Sequence, residues 1–228
     1  MLRCEDINTY YGPAHVLFDV SLEVPAGSLV ALIGRNGAGK STTLKTIMGL
    51  TPARSGTIHF DGRPIHRLEP FQISRIGLGY VPEERRVFAD LTIDENLQVA
   101  ERPGPWTRQR IYAEFPALGE LRERRAGLLS GGQQQMLAIA RSLATNPRLL
   151  LMDEPTEGLA PVIVEALQTM VQGLRSEGQT CLLAAQDLHF ALATADQVLV
   201  MNGGRITLRM TGEEARADMT PLSEQLAV

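Results

Sequence analysis

Gly34-Arg35-Asn36-Gly37-Ala38-Gly39-Lys40-Ser41 is the stretch that decides the fold of this 228-residue chain. It fits the pattern G-x-x-x-x-G-K-[ST], in which glycines allow successive backbone N–H groups to curl around phosphate oxygens. Residues 29–33 before it are all apolar, which is typical of a parallel strand covered on both faces. A helix is predicted from residue 40 to about residue 50. A strand, a glycine-rich turn and a helix in this order predict a nucleoside triphosphate site.

The pattern gives individual residues of the loop a role. The Lys40 ammonium is expected to reach the β- and γ-phosphates, and the Ser41 hydroxyl is expected to hold Mg²⁺. The other predicted nucleotide contacts are Gly34, Asn36, Gly37, Gly39 and Thr42. A plain glycine turn that caps a helix is the alternative interpretation, and the flanking strand and helix disfavour it.

A second acidic site follows the apolar run at residues 149–152. Asp153 and Glu154 end this predicted strand, and ligands of open α/β sheets bind at that end. Asp153 is predicted to bind Mg²⁺ through water, and Glu154 to polarise the attacking water as general base. Two solvated acids that begin a turn before Pro155 are the alternative.

Composition excludes several classes of protein. The chain is 44% hydrophobic, which is enough for a buried core. Its formal net charge is -4, so nucleic acid is disfavoured as its main partner. Cys4 and Cys181 have no Cys or His at metal-ligand spacing, so inert packing is predicted for both. The N-terminal sequence lacks the pattern of a secretory signal, and no apolar stretch approaches about twenty residues. A role at a membrane would therefore require docking on a partner.

The order of elements predicts one α/β domain over residues 1–228. Strands within residues 1–30 form an antiparallel β-layer, and alternating strands and helices form a phosphate-loop core with a mostly parallel sheet. From about residue 83 to 128 charge increases and helical periodicity dominates, which predicts an inserted helical subdomain. The core takes residues 1–82 and 146–228, and the helical subdomain takes residues 83–145. The later predicted elements are helices at about 132–145 and 161–176, a strand at 180–185 and a hairpin around Asn202-Gly203-Gly204.

The motif Leu129-Ser130-Gly131-Gly132-Gln133 stands just before a predicted helix. A serine and glycine amides at the head of a helix form a second anion site. The motif matches the LSGGQ signature, and with the phosphate loop and the acidic strand end it makes the whole chain resemble an ABC transporter ATP-binding subunit. The resemblance implies that Ser130, Gly131, Gly132 and Gln133 face the γ-phosphate of the ATP bound by the opposite subunit, so that ATP joins two copies. Taken alone, the motif is a serine-capped helix start.

The resemblance assigns two further binding positions. Tyr11 is expected to stack on adenine, and Tyr10 is the alternative for that place. Glu83 follows a YVP strand, where the family usually has glutamine, and it is expected to contact Mg²⁺ or its water.

Two other positions depart from the family pattern. Gln186 occupies the place of the switch histidine, and it can donate an amide N–H to the γ-phosphate but cannot carry a proton. His189, three residues later, is expected at the surface or in packing. Ala160 stands where the loop after the acidic pair usually has aspartate.

The combination of YVPE, TEGLAP and Gln186 resembles the shorter ATPase subunit of branched-chain amino acid importers, or of related urea and amide importers. This resemblance implies two integral-membrane permease subunits, a second ATPase subunit that is identical or paralogous, and, indirectly, a periplasmic or extracellular substrate-binding protein. It also implies a peripheral position on the cytoplasmic face of the inner membrane. A lipid exporter, a soluble non-transport ABC ATPase and a subunit that binds ATP without useful hydrolysis are the alternatives.

Coupling to the permease is expected in a groove between core and helical subdomain, near residues 83–97. The residues concerned are Val87, Phe88, Leu91 and Ile93, with Arg85 and Arg86 as a basic rim. The apolar side chains either receive a cytoplasmic helix of the permease or anchor the subdomain internally.

Overall fold

The computed structural model describes residues 1–227, and Val228, the last residue of the predicted domain, lies outside them. The strands are β1 (Leu2–Tyr11), β2 (Ala14–Val24), β3 (Leu29–Ile33), β4 (Ser55–Phe60), β5 (Arg63–Pro64), β6 (Leu78–Val81), β7 (Leu149–Asp153), β8 (Thr180–Ala185), β9 (Gln197–Asn202) and β10 (Arg205–Thr211). The helices are α1 (Lys40–Ile47), α2 (Pro70–Arg75), α3 (Ile93–Ala100), α4 (Arg108–Glu114), α5 (Pro116–Glu120), α6 (Gly131–Ala144), α7 (Pro161–Ser176), α8 (Leu188–Thr194), α9 (Gly212–Ala217) and α10 (Thr220–Ala227).

A six-stranded sheet forms the centre of the fold, in the order β10-β9-β3-β8-β7-β6. Its neighbouring strands run parallel, except that β10 pairs antiparallel with β9. β3, β7 and β8 are buried along their whole length, and alternate side chains of β3 join two different hydrophobic clusters. Burial of both faces explains why these strands are continuous apolar runs. The predicted α/β core with a mostly parallel sheet is confirmed.

The N-terminal strands form the predicted antiparallel layer, in the order β2-β1-β4-β5. Asp6 and Asp19 take positive φ values of 49° and 51° where the register between β1 and β2 shifts. Bulges of this kind increase strand twist, which helps the layer to curve over the central sheet. Leu17 of β2 is fully buried and shares a cluster with Leu32 of β3 and Leu44 of α1. The layer therefore packs directly beside the phosphate loop.

Helices α3 to α6 pack on the other side of the sheet. α3 and α6 begin with capping boxes at Thr92 and Ser130, which satisfy N–H groups that the first turn leaves without partners. Leu97 of α3 and Leu137 of α6 are fully buried in the cluster that contains Met152 of β7. This shared cluster holds the helical region against the core.

The residues expected to line the groove divide between two roles. Ile93 is fully buried and Val87 packs against the large cluster, so both anchor the helical region. Of the two alternatives, internal anchoring therefore holds for Ile93, because its side chain is part of the core. Phe88 is 48% exposed, and its ring centroid lies 4.7 Å from the Arg141 guanidinium. Phe88 thus keeps a free ring face at the groove.

The predicted elements match the structure, except at the end of α1 and after the hairpin near the C-terminus. α7 covers the predicted residues 161–176, and the turn after Asn202 joins β9 to β10 as predicted. α1 ends at Ile47, before the predicted end, and Gly49 with a φ of 71° follows it. The sequence did not predict α9 and α10 after the hairpin, although α9 begins with a capping box at Thr211.

Both cysteines are inert packing residues, as predicted. Cys4 and Cys181 are buried, and burial raises the pKa of each thiol to about 12, so neither forms a thiolate at neutral pH. Within residues 1–227, no helix has the length and apolarity needed to cross a membrane.

Candidate functional site

The carboxyl ends of β3 and β7 open into a cleft of about 340 Å³. The cleft is lined by the phosphate loop and the first turn of α1, and by side chains from three other segments. The lining residues are Asn36, Gly37, Gly39, Lys40, Ser41, Thr42, Val16, Glu83, Glu154 and Glu157. Gly34 instead lines an adjoining cavity of about 430 Å³ with Arg35 and Gln186. The fold therefore brings the phosphate loop, Glu83 and the second acid of the strand end into one space.

Close packing explains two of the loop glycines. A Cβ on Gly34 would lie 2.3 Å from the Met201 carbonyl oxygen, and one on Gly39 would lie 2.9 Å from the Leu17 side chain. Gly37 and Gly39 also take φ values of 79° and 110°, which favour glycine. No side chain caps the N-terminus of α1 at Gly39, so its first N–H groups are available to an anion.

Lys40 is buried at the floor of the cleft, with 4% of its side chain exposed. Its Nζ donates to the carbonyl oxygens of Gly34 at 2.7 Å and Arg35 at 3.1 Å. Nζ also forms an ion pair with Glu154 Oε1 at 2.9 Å. The lysine predicted to bind phosphate and the predicted general base thus neutralise each other in this structure.

Glu154 is held in an uncommon backbone conformation, with φ of 45°. Its backbone N–H donates to the Ala184 carbonyl, and its Oε2 accepts from the Gln186 backbone N–H at 2.8 Å. Burial raises the pKa of this carboxyl above 4.5, and Lys40 acts against that rise. Removal from water brings the proton affinity of Glu154 closer to that of a useful base.

Asp153 is fixed through both oxygens of its carboxylate. Oδ1 accepts from the Ser41 hydroxyl at 2.8 Å, and Oδ2 accepts from the Tyr80 hydroxyl at 3.0 Å. Burial raises the pKa of Asp153 above 3.8, and the two hydrogen bonds lower it. Since Asp153 and Glu154 both have raised pKa values, their ionised forms lower stability at neutral pH. That cost is relieved as the pH falls through the raised values.

The oxygen groups of Ser41 and Asp153 have the chemistry of Mg²⁺ ligands. Mg²⁺ commonly takes one or two protein oxygens and completes its shell with phosphate and water. Among residues 1–227, the structure shows no cluster of three or more His, Cys, Asp and Glu that could hold a metal ion. The pair could therefore hold Mg²⁺ together with a nucleotide.

Glu83 lines the same cleft from the end of the β6 segment. Burial raises the pKa of its carboxyl, and repulsion from Glu157, Asp153 and other acids adds to the rise. A cation placed among these carboxylates would relieve the repulsion. The position is thus compatible with the predicted contact to Mg²⁺ or to its water.

The signature residues lie apart from the phosphate cleft. Ser130 is exposed at the N-cap of α6, where its backbone N–H donates to Gln133 Oε1 at 3.0 Å and its hydroxyl accepts from the Gln133 N–H at 3.3 Å. Among the described residues, Ser130, Gly131, Gly132 and Gln133 do not line the phosphate cleft. The helix start at Ser130 therefore does not share the cleft formed at the start of α1.

The two tyrosines near the end of β1 have different surroundings. The Tyr10 ring stacks on His15 at 4.0 Å and lies under Arg54. Tyr11 is 47% exposed, and its hydroxyl accepts a 3.4 Å hydrogen bond from Thr51. The ring of Tyr11 is the one that remains accessible to a ligand.

Gln186 and His189 follow β8 on different elements. Gln186 is exposed directly after the strand, and its amide side chain borders the cavity that contains Gly34. His189 is exposed on α8, as expected for a surface residue. Ala160 is the N-cap of α7 and supplies no side-chain hydrogen bond there.

Sequence reasoning missed three residues of this site. Val16 and Glu157 line the cleft, and Tyr80 contacts Asp153 although it lies 73 residues before it in the chain. The contact of Tyr80 with Asp153 could be predicted only by knowing that β6 pairs parallel with β7, which places Tyr80 beside Leu151.

The ABC transporter family profile matches residues 17–157, which include the phosphate loop, the signature and the acidic strand end. The chain belongs to the ABC transporter family. Within this family it is an ATP-binding subunit of the kind that hydrolyses ATP. It is 44% identical to the high-affinity branched-chain amino acid transport ATP-binding protein BraG of Pseudomonas aeruginosa, over 93% of each chain. It is 38% identical to the probable branched-chain amino acid transport ATP-binding protein LivF of Archaeoglobus fulgidus, over 94% of this chain and 93% of LivF.

Solved structures of ABC cassettes share the fold. A nucleotide-free ATP-binding cassette from an ABC transporter has a TM-score of 0.86 and 30% identity, over 100% of this chain and 98% of that one. A dimeric bacterial ABC transporter cassette has a TM-score of 0.82 and 25% identity, over 92% and 98%. Other matched ABC proteins serve glutamate transport, sulfate import and lipopolysaccharide export, so sequence similarity extends across several cargoes.

Proposed function

We propose that this ABC ATPase drives import of branched-chain amino acids, or of a related small polar solute, from the cytoplasmic face of the membrane. The observation that carries the mechanism is the separation of two anion sites. The phosphate cleft holds Lys40, Ser41 and Glu154, whereas Ser130 lies at another helix start outside that cleft. A complete site then requires a second ATPase subunit, of the same or a paralogous kind.

ATP would bind with its phosphates over the amides of residues 34–42 and with adenine on the exposed ring of Tyr11. Mg²⁺ would be held by Ser41 and Asp153, with Glu83 nearby, and it would supply charge stabilisation to the phosphates. Phosphate oxygens attract the Lys40 ammonium, so ATP weakens the Lys40 to Glu154 ion pair. Glu154 is then available to accept a proton from the attacking water.

Ser130 and the amides of Gly131 and Gly132 would contact the γ-phosphate bound by the partner subunit. ATP would in this way join the two subunits, and hydrolysis would release them. Gln186 would donate an amide N–H to the γ-phosphate, and it would do so without the charge that a histidine adds.

The shared site is tested by substituting Ser130→Arg in a Glu154→Gln background that does not hydrolyse ATP. The longer cationic side chain fills the space meant for the partner's phosphate and removes the serine hydroxyl. We expect ATP-dependent dimers to disappear in size-exclusion chromatography with light scattering. ATP affinity of the monomer, measured by fluorescence titration, should stay within about twofold, because the substitution leaves the phosphate cleft intact.

The matched control is Thr211→Arg, which disrupts a capping box of the same type on α9. Loss of either cap costs about 1 kcal/mol, so the two variants should lose similar stability. Only Ser130→Arg should lose dimerisation. Equal dimer fractions for Ser130→Arg and the parent would reject the shared-site mechanism.

Two permease subunits would receive the ATPase through the groove between its core and helical region. A cavity of about 260 Å³ lies there, between Tyr80 and Pro82 on one side and Ala100 and Arg141 on the other. The exposed ring of Phe88 and the 64% exposed side chain of Val99 add apolar surface nearby. This surface supports the docking of a cytoplasmic helix. A substrate-binding protein outside the membrane would deliver the cargo.

Identity to BraG and LivF over nearly the full chain supports branched-chain amino acids as cargo. The ATPase does not touch the cargo, so this assignment depends on similarity rather than on site chemistry. Lipopolysaccharide export is the second candidate, supported by 31% identity to the export protein LptB of Haemophilus influenzae over 96% of this chain.

The cargo is tested by deleting the gene and measuring uptake of labelled leucine, glutamate and sulfate. We expect leucine uptake alone to fall, and to return with the wild-type gene but not with Glu154→Gln. Unchanged leucine uptake with loss of lipopolysaccharide from the outer surface would favour the export function instead.

A further inference from the structure

Tyr80 joins two parts of the molecule through one side chain. It lies in β6, which runs parallel to β7 and pairs Tyr80 with Leu151. From that register its hydroxyl donates to Asp153 Oδ2 at 3.0 Å. Tyr80 also lines the cavity of about 260 Å³ between the core and the helical region.

The hydroxyl completes a clamp on the Asp153 carboxylate. Ser41 holds Oδ1 at 2.8 Å and Tyr80 holds Oδ2, so two donors from different elements, α1 and β6, define the plane of the carboxylate. Asp153 is 1% exposed, which leaves little water to replace a missing donor. A carboxylate with one free oxygen could rotate about its terminal bond, whereas one held at both oxygens cannot.

Tyr80 is the donor in this contact. A carboxylate oxygen can only accept, so the phenol O–H donates to Asp153 Oδ2. The direction of the hydrogen bond is therefore from tyrosine to aspartate.

We infer that Tyr80 is a positioning residue for the metal site, because its hydroxyl orients Asp153 for Mg²⁺ bound with ATP. This inference rests on the proposed magnesium and ATP site. The ring of Tyr80 at the cavity gives the orientation of Asp153 a direct structural connection to the groove. In this arrangement, displacement of the ring would change the metal ligand without any movement of the phosphate loop.

Tyr80→Phe removes the hydroxyl and keeps the ring in the cavity. The substitution is made in the Glu154→Gln background, and Mn²⁺ serves as the probe, titrated with ATP present and followed by electron paramagnetic resonance. We expect the half-saturating Mn²⁺ concentration to rise about tenfold, as for loss of one hydrogen bond to a charged group. ATP affinity in excess chelator should not change, because the phosphate loop is untouched.

Tyr112→Phe is the matched control. Its hydroxyl donates to Asp94 Oδ1 at 2.7 Å, so it loses the same type of bond in the helical region, away from the phosphate cleft. We expect Mn²⁺ affinity to be unchanged in this variant. Thermal unfolding of both variants separates a general loss of stability from a local change at the metal site.

The inference is overturned if Tyr80→Phe binds Mn²⁺ as tightly as its parent or more tightly. It is also overturned if Tyr112→Phe shows the same shift, or if Tyr80→Phe loses chelator-resistant ATP binding to the same degree, since either result indicates a general structural effect. Failure of the proposed magnesium and ATP site would look different. In that case the parent protein itself would show no ATP-dependent Mn²⁺ binding.

Discussion

Glu154→Gln is expected to lower ATP hydrolysis by at least about 100-fold and to accumulate an ATP-bound dimer. Glutamine keeps the size of the side chain, and its single amide oxygen can still accept from one of the two donors, the Gln186 N–H or the Lys40 ammonium. It cannot take a proton from water, so the chemical step fails while the binding surfaces remain. Phosphate release measures the rate, and light scattering with and without ATP measures the dimer.

Glu165→Gln is the control for this loss of one carboxylate. Glu165 is exposed on α7 and does not line the phosphate cleft. Its hydrolysis rate should equal that of the wild type. A Glu154→Gln variant that hydrolyses at more than about a tenth of the wild-type rate would assign the proton transfer to another group.

Lys40→Met is expected to weaken ATP binding by about 100-fold, because the phosphates lose charge-assisted hydrogen bonds from a buried ammonium. The substitution also leaves Glu154 without its ion-pair partner, and Glu154 is 6% exposed. Removing one member of a buried ion pair costs about 3 kcal/mol of unfolding free energy. Nucleotide titration and urea unfolding of the nucleotide-free protein measure the two effects separately.

The pH dependence of this stability loss follows from the pKa of Glu154. Burial already raises that pKa, and loss of Lys40 removes an interaction that lowers it. The variant should therefore recover stability relative to wild type as the pH falls and Glu154 becomes protonated. A destabilisation that stays constant from about pH 7 to about pH 4, where a carboxyl with a raised pKa is protonated, would contradict the ion pair as its cause.

Lys45→Met is the matched control for Lys40→Met. Lys45 is on the same helix, α1, in its last turn, and it does not line the cleft. ATP affinity should stay close to that of the wild type, and the pH profile of unfolding should change only through Asp153, whose pKa Lys45 lowers. If both variants lost ATP affinity to a similar degree, any positive charge on α1 would support ATP binding, and the buried ion pair would not be needed to explain the loss.

The ion pair between Lys40 and Glu154 has a consequence for the nucleotide-free subunit. The lysine predicted to bind phosphate and the predicted general base neutralise each other, and the lysine also donates to the Gly34 and Arg35 carbonyls. We expect ATP phosphates to replace these contacts, which would couple nucleotide binding to release of the base through one ammonium group.

The sequence by itself determined the parts of this protein that depend on neighbouring residues. The glycines from Gly34 to Gly39 favour a tight turn, and the five-residue apolar run before them favours a strand buried on both faces. The order of phosphate loop, signature and acidic pair sufficed to predict the family. These are local signals, because backbone freedom and hydrophobic runs act over a few residues.

The tertiary structure alone decided which of these groups meet. Ser41 contacts Asp153 across 112 residues of chain, and Tyr80 reaches the same carboxylate from another strand. The register of parallel strands sets both contacts, and no spacing in the sequence encodes that register. Packing likewise keeps Ser130 out of the cleft that holds Lys40 and turns Ile93 into the core. Long-range contacts depend on how whole elements pack, and residue pattern does not specify that by itself.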